Sequence, residues 1–134
     1  MSREPILHVK LLIKPFSAND MHYAKNKRDT VKYRQYKGNI KDLIGSDDYN
    51  VAPDAKLKLT LVSGVGSKAA DLDNTFKPLL DSMQLAMGFD DKQVYAIEAY
   101  KNVVSRKNVH LMILLEQKHD NWFNRRIDKL LEDF

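Results

Sequence analysis

The sequence predicts a single α+β domain in the order β-α-β-α-β-β-α, with helices packed on a mixed sheet. Three observations carry this reading. A chain of 134 residues fits one domain. Its 43% hydrophobic and 30% charged residues supply both a core and a solvated surface. Four segments alternate apolar and polar residues with a period of two, and three others repeat at helical spacing.

The first strand is "PILHVKLLI", alternating around Leu7, Val9, Leu11 and Ile13. "KPFSANDMHYAKNKRDT" has no periodicity and is rich in turn formers, so it reads as a long loop of the kind often used for function. From Thr30 the spacing becomes helical through Tyr33, Tyr36, Ile40, Leu43 and Ile44, with Thr30 as N-cap and Gly45 as stop. "SDDYNVAPD" is a turn-rich connection. "AKLKLTLVS" sets Leu57, Leu59 and Leu61 against Lys56, Lys58 and Thr60, a second strand, and "GVGSK" turns the chain.

The second helix carries Leu72, Phe76, Leu79, Leu80, Met83 and Met87 on its apolar side and ends at Gly88. "QVYAIEAYKNVV" and "NVHLMILLE" read as two further strands, joined through "SRKN" as an antiparallel hairpin. In "DNWFNRRIDKLLEDF", Trp122, Phe123, Ile127, Leu130, Leu131 and Phe134 share one helical face. That stripe predicts a helix lying on its own domain or at a dimer interface.

Several function classes are excluded. With no cysteine, there is no disulfide framework, zinc-thiolate site or thiol nucleophile. This suits the cytoplasm, the expected location. The N-terminal apolar run is broken by His8 and Lys10 and is too short for a signal peptide or membrane span. His8, His22, His110 and His119 show no metal spacing. No phosphate-binding G-x-x-x-x-G-K-[ST] loop and no G-x-S-x-G elbow occurs, so neither a nucleotide cofactor nor a serine hydrolase is expected.

Charge is unevenly spread. Residues 1–41 hold ten Lys/Arg against three acids; the remainder holds twelve against fifteen. Lys25, Lys27 and Arg28 on the loop, with Lys32 and Arg34 at the helix start, read as phosphate contacts, which give salt-sensitive affinity without base specificity. The competing reading is a solvated helix face.

The stretch "AADLDNTFKPLLD" concentrates acid at the head of an apolar helix. Residues i and i+2 diverge within a helix. Asp71 and Asp73 can therefore share a ligand only if Asp71 sits at or before the N-cap. Pro78 removes a helical hydrogen bond and points to an irregular first turn or a late start. The plain alternative is that Asp71 caps the helix, Asp73 complements its dipole, and Lys77 makes an i,i+4 pair with Asp73 or Asp81. In "GFDDKQV", Asp90 and Asp91 are either ordinary turn residues or a third carboxylate source. On the functional reading, Asp91 lies beside Asp71 and Asp73 in the fold. Crowded carboxylates repel unless a cation compensates, and oxygen ligands without His or Cys suit Mg²⁺ or Mn²⁺. Beside a basic surface such a site suits phosphodiester hydrolysis, with Lys77 adding charge stabilisation.

At "DLDNTFKPLLDSM" followed by "GFDDKQVYAIEAYK" the sequence resembles the RusA family of Holliday junction resolvases, found in bacteria and their prophages. The shared pattern is D-x-D-N-x-x-K, a downstream helical aspartate, and Gly…Asp-Asp-x-Gln-Val opening a strand. It runs from about residue 55 to 116, and "PFSANDMHY" and "TVKYRQYKGNI" resemble the family's upstream loop and first helix. Residues 1–116 thus read as the nuclease domain, with the helix of residues 117–134 beyond the family core. The resemblance implies an Mg²⁺-dependent homodimer that binds four-way DNA junctions and cuts paired strands in recombination and repair. It implies catalytic, metal-binding roles for Asp71, Asp73 and Asp91, a catalytic Lys77, and Asn74 orienting a carboxylate. Asp90 is the less suited of its pair. Where family members can carry a run of arginines, this chain has Ser67-Lys68-Ala69-Ala70, leaving Lys68 for DNA contact there. Two other functions fit the same scaffold: a catalytically silent junction-binding protein, and a nuclease acting on other branched DNA or on RNA.

Overall fold

The computed structural model describes residues 5–45 and 49–134. Residues 46–48, which begin the connection "SDDYNVAPD", lie outside the described residues, as do residues 1–4. The chain runs β1 (Leu7–Leu11), α1 (Val31–Ile44), β2 (Lys56–Val65), α2 (Phe76–Met87), β3 (Val94–Val103), β4 (His110–Lys118) and α3 (Asp120–Glu132). This is the predicted α+β order, with a mixed four-stranded sheet. Among the described residues no helix is long and apolar enough to cross a membrane.

The strands lie in the order β1-β4-β2-β3. β4 is antiparallel to both of its neighbours, and β2 is parallel to β3. The expected hairpin between β3 and β4 is therefore corrected: β2 lies between them. The cause is α2. A strand-helix-strand crossover returns the chain to the end where it started, so β3 runs parallel to β2 and takes the sheet edge. Burial agrees with this placement. β4 buries His110, Leu111, Ile113 and Leu115, whereas every residue of β3 is at least partly exposed.

One face of the sheet carries the core. Leu57, Leu59 and Leu61 of β2 and Leu111, Ile113 and Leu115 of β4 meet Leu79, Met83 and Met87 of α2 and Tyr33, Tyr36, Ile40 and Ile44 of α1. Each fully buried aliphatic side chain contributes about 1.5–3 kcal/mol. Leu43, expected on the buried face of α1, is half exposed, since the stripe that meets α2 passes through Ile40 and Ile44 instead. Both predicted helix boundaries are present. The Thr30 hydroxyl accepts the Tyr33 amide at 3.1 Å, and Gly88 closes α2 in the left-handed conformation at φ 80°.

The opposite face is covered at one end. The ammonium groups of Lys58 and Lys118 lie 5.4 and 5.2 Å from the Trp122 ring, and Lys56 pairs with Asp120 at 2.8 Å. Phe123 is buried and meets Tyr95 at 5.7 Å between centroids. Beyond this first turn α3 leaves its stripe uncovered: Ile127, Leu130, Leu131 and Phe134 are exposed.

Gly64 of β2 pairs with His110 of β4, whose Nδ1 is 2.7 Å from the Asn108 carbonyl. A Cβ at position 64 would overlap the buried imidazole. Gly64→Ala is expected to destabilise the fold by about 1–3 kcal/mol, as overpacking does. Urea unfolding should show a lower midpoint at unchanged slope; an unchanged midpoint would mean that the ring moves aside freely.

Candidate active site

The segment leading into Asp71 is held from two sides. The Ala69 amide donates to Ser67 Oγ at 3.1 Å, and the Ala70 amide donates to the Ser67 carbonyl at 3.3 Å. From β3, the Lys101 ammonium donates to the carbonyls of Lys68 and Ala70 at 2.9 and 3.0 Å. Lys101 thus fixes the backbone that presents Asp71. Its role was not legible in the sequence, because a lysine on an edge strand carries no sign that its partners are carbonyls far along the chain.

Asp71 stands just before the turn and accepts a hydrogen bond from Asn74 Nδ2 at 3.4 Å. Leu72 occupies the N-cap position of a 3-10 turn over Asp73–Thr75, and α2 proper begins at Phe76. Of the two arrangements Pro78 allows, the late start is present: α2 proper begins two residues before it, after a separate 3-10 turn. Pro78 falls in the first turn of α2, where amides commonly have no intrahelical partner. The turn is bolted to β2 by buried groups: the Thr75 hydroxyl donates to the Leu72 carbonyl at 2.7 Å, and Ser63 Oγ lies 3.0 Å from Thr75 Oγ1. Asp73 is exposed and has no side-chain partner among the described residues. Its oxygens are available to a ligand.

Lys77, one turn along α2, reaches Asp81 at 3.4 Å rather than Asp73. The other Asp81 oxygen accepts from the Tyr33 hydroxyl at 3.1 Å, tying α2 to α1. Burial, with the Asp81 carboxylate beside it, holds the Tyr33 phenol well above its ordinary range, so it remains a donor.

Asp90 and Asp91 divide their work. Asp90 caps the 3-10 turn Asp91–Gln93, accepting the Lys92 amide at 2.9 Å while Gln93 Oε1 accepts the Asp90 amide at 3.0 Å. The Lys92 amide, followed by a bond with Asp91, keeps the Asp90 carboxyl below the usual carboxylate range. Asp91 is exposed, and its amide donates to Gln84 Oε1 at 3.0 Å.

That bond places Asp91 at the C-terminal end of α2, whereas Asp71 and Asp73 stand at its N-terminal end. Gln84 lies eight residues beyond Phe76, where α2 begins, roughly 12 Å along a helix axis rising 1.5 Å per residue. The expectation that Asp91 lies beside Asp71 and Asp73 is thus corrected for a single chain, because a whole helix intervenes. Among the described residues no three His, Asp or Glu side chains are grouped closely enough to hold a metal ion.

The basic segment joins the N-terminal end of this site. A short turn over Ala18–Asp20 rests against the 73–75 turn, and the Thr30 hydroxyl donates to the Asp20 carbonyl at 2.7 Å. Between them His22 and Asp29 bridge the base of a small hairpin. Lys25, Lys27 and Arg28 are exposed on it, with Lys27 at φ 57°. Lys32 and Arg34 are exposed on the first turn of α1, and Lys68 is exposed before Asp71. Asp29 is occupied by Lys37 and His22, and the Lys37 bond holds its carboxyl below the ordinary value. It therefore does little to offset the hairpin charge.

A cleft of about 720 Å³ opens beside Asp71 and Asn74. Its wall includes two cations that the sequence did not single out, Lys14 after β1 and Arg106 before β4. Nothing in their spacing could have linked them.

Comparison with known families matches residues 13–114 to the family described as Endodeoxyribonuclease RusA. The matched region takes in the basic hairpin, the 73–75 turn, α2 and the Asp90–Asp91 turn. A search of curated proteins finds no match. With most of its length matched, and with the D-x-D-N-x-x-K segment within that match, the chain belongs to the RusA family of endodeoxyribonucleases.

Proposed function

We propose that the protein is a divalent-metal-dependent, dimeric endonuclease that resolves four-way DNA junctions. The observation that carries this reading is the pair Asp71 and Asp73. Both are exposed on an anchored turn, with carboxylate oxygens to spare, beside a cationic cleft and an exposed basic hairpin.

The donor set fits Mg²⁺ or Mn²⁺. It is all oxygen, and Mg²⁺ commonly takes one or two protein carboxylates while keeping several waters. Asp71 and Asp73 would hold the ion, with Asn74 orienting Asp71. When bound, such an ion activates water and neutralises charge on a scissile phosphate. Lys77, held by Asp81, offers an ammonium to charge developing on that phosphate. Lys25, Lys27, Arg28, Lys32, Arg34 and Lys68 supply sequence-independent phosphate contacts.

Asp91 enters from a partner subunit on this reading. A two-fold interface is reciprocal. If it brings the C-terminal end of one α2 to the N-terminal end of the other, it completes both sites at once. Two linked sites are what paired cleavage of a junction requires.

The test is cleavage of a synthetic four-way junction and of a linear duplex, with Mg²⁺ and after chelation. Junction cleavage that disappears on chelation is expected. Equal rates on the two substrates would remove junction selectivity, cleavage in excess chelator would remove metal dependence, and junction binding without cleavage would point to a silent binder.

A further inference from the structure

We propose that Lys14 and Arg106 form a second phosphate-binding wall of the cleft beside Asp71, holding a DNA phosphate next to the one that is cut. The inference rests on the nuclease reading and assigns residues to which that reading gives no role.

Three features support it. Lys14 and Arg106 come from distant parts of the chain, yet both line the cleft that Asp71 and Asn74 line. Both are exposed, and neither forms an ion pair among the described residues. Among the described residues, then, no ion pair neutralises either charge. Position 66 is also glycine, where an added Cβ would come within 3.0 Å of Arg106 Cγ. The small residue lets the arginine stem lie against the end of β2, with its guanidinium free to reach along the wall. Ala69 and Ala70 line the same cleft and contribute no charge, so the cationic character of this wall comes from Lys14 and Arg106. Arginine and lysine in one cleft with the Asp71 carboxylate suit a polyanion threading it: one phosphate at the proposed metal site and a neighbour at the cations.

The experiment measures junction affinity against salt in the full-length Asp73→Asn protein, so that cleavage does not intervene. Removing one cation that touches a phosphate should reduce the slope of log K against log salt by about one. Adding Lys14→Ala and Arg106→Ala is expected to reduce it by about two. A further Ala69→Arg, which returns charge to the same wall at an exposed position, should restore part of the slope. An unchanged slope in the double variant would overturn the proposal, as would a reduction that the added arginine leaves untouched. If the parent prefers no junction over duplex, the junction reading fails on its own, and the same slopes measured on duplex decide this inference. Failure to bind either DNA overturns both.

Discussion

Asp73→Asn is expected to abolish junction cleavage while leaving junction binding within a factor of a few of the parent. The substitution is isosteric and falls on an exposed side chain with no partner among the described residues. The fold should therefore tolerate it within about 0.5 kcal/mol. On the proposed reading, what changes is one of the charged oxygen donors presented to a divalent cation. Metal ions contribute several kcal/mol of charge stabilisation in such reactions. Losing about 4 kcal/mol at 1.36 kcal/mol per decade is a fall of roughly 10³-fold or more. Asp90→Asn is the informative control. Its carboxyl already accepts the Lys92 amide as a cap, and asparagine caps comparably well, so cleavage should persist. Rate constants on a labelled junction, with binding measured in parallel, decide the matter. Equal cleavage by wild type and Asp73→Asn would remove Asp73 from the site; equal loss in the two variants would mean that the acid-rich turns matter only as structure.

The elements and their boundaries were legible because each depends on local chemistry. Thr30 and Gly88 announce helix ends through their own hydrogen-bonding and backbone preferences. Pro78 announces the late start of α2, because proline is tolerated in the first turn of a helix and not in its interior. Strand partnership was not legible in the same way. "VYAIEAYKNV" and "HLMILLEQK" are separated by a short connection and look like a hairpin, yet the choice of partner for β3 is made by α2, which delivers that strand parallel to β2. The acidic residues divide along the same line. That Asp71 and Asp73 both stand ahead of α2 follows from their place in the sequence and the late helix start, whereas the placement of Asp91 at the other end follows from the length of α2 lying between two turns. Lys14, Lys101 and Arg106 belong to the class that sequence cannot reveal, since their meaning rests on which backbone or cleft they reach. The stripe on α3 was visible from its spacing, but the spacing could not say that its packing on the sheet ends near Phe123.

Mixing two inactive variants is expected to restore cleavage. Asp91→Asn should be as inactive as Asp73→Asn on the proposed reading, since either removes a carboxylate from each composite site. Consider a dimer with Asp73→Asn in one subunit and Asp91→Asn in the other. If Asp91 acts across the interface, one site of this dimer combines both lesions. The other combines an intact Asp71 and Asp73 from one chain with an intact Asp91 from its partner, and is wild type. If instead each chain builds its own site, both sites carry one lesion and the mixture stays inactive. The separation of the two acidic turns by roughly 12 Å of helix favours the first outcome. The restored activity should have a distinctive form: with one competent site per dimer, a junction is nicked on one strand and paired cleavage remains rare. Subunit exchange between differently tagged variants, isolation of the mixed dimer and analysis of nicked against doubly cut product give the answer. Recovery of paired cuts would mean that the mixed dimer releases a nicked junction and rebinds it in the other orientation, since no pairing of these two chains carries two competent sites. Complete inactivity of a purified mixed dimer would return Asp91 to its own chain, and would then require α2 to move before catalysis.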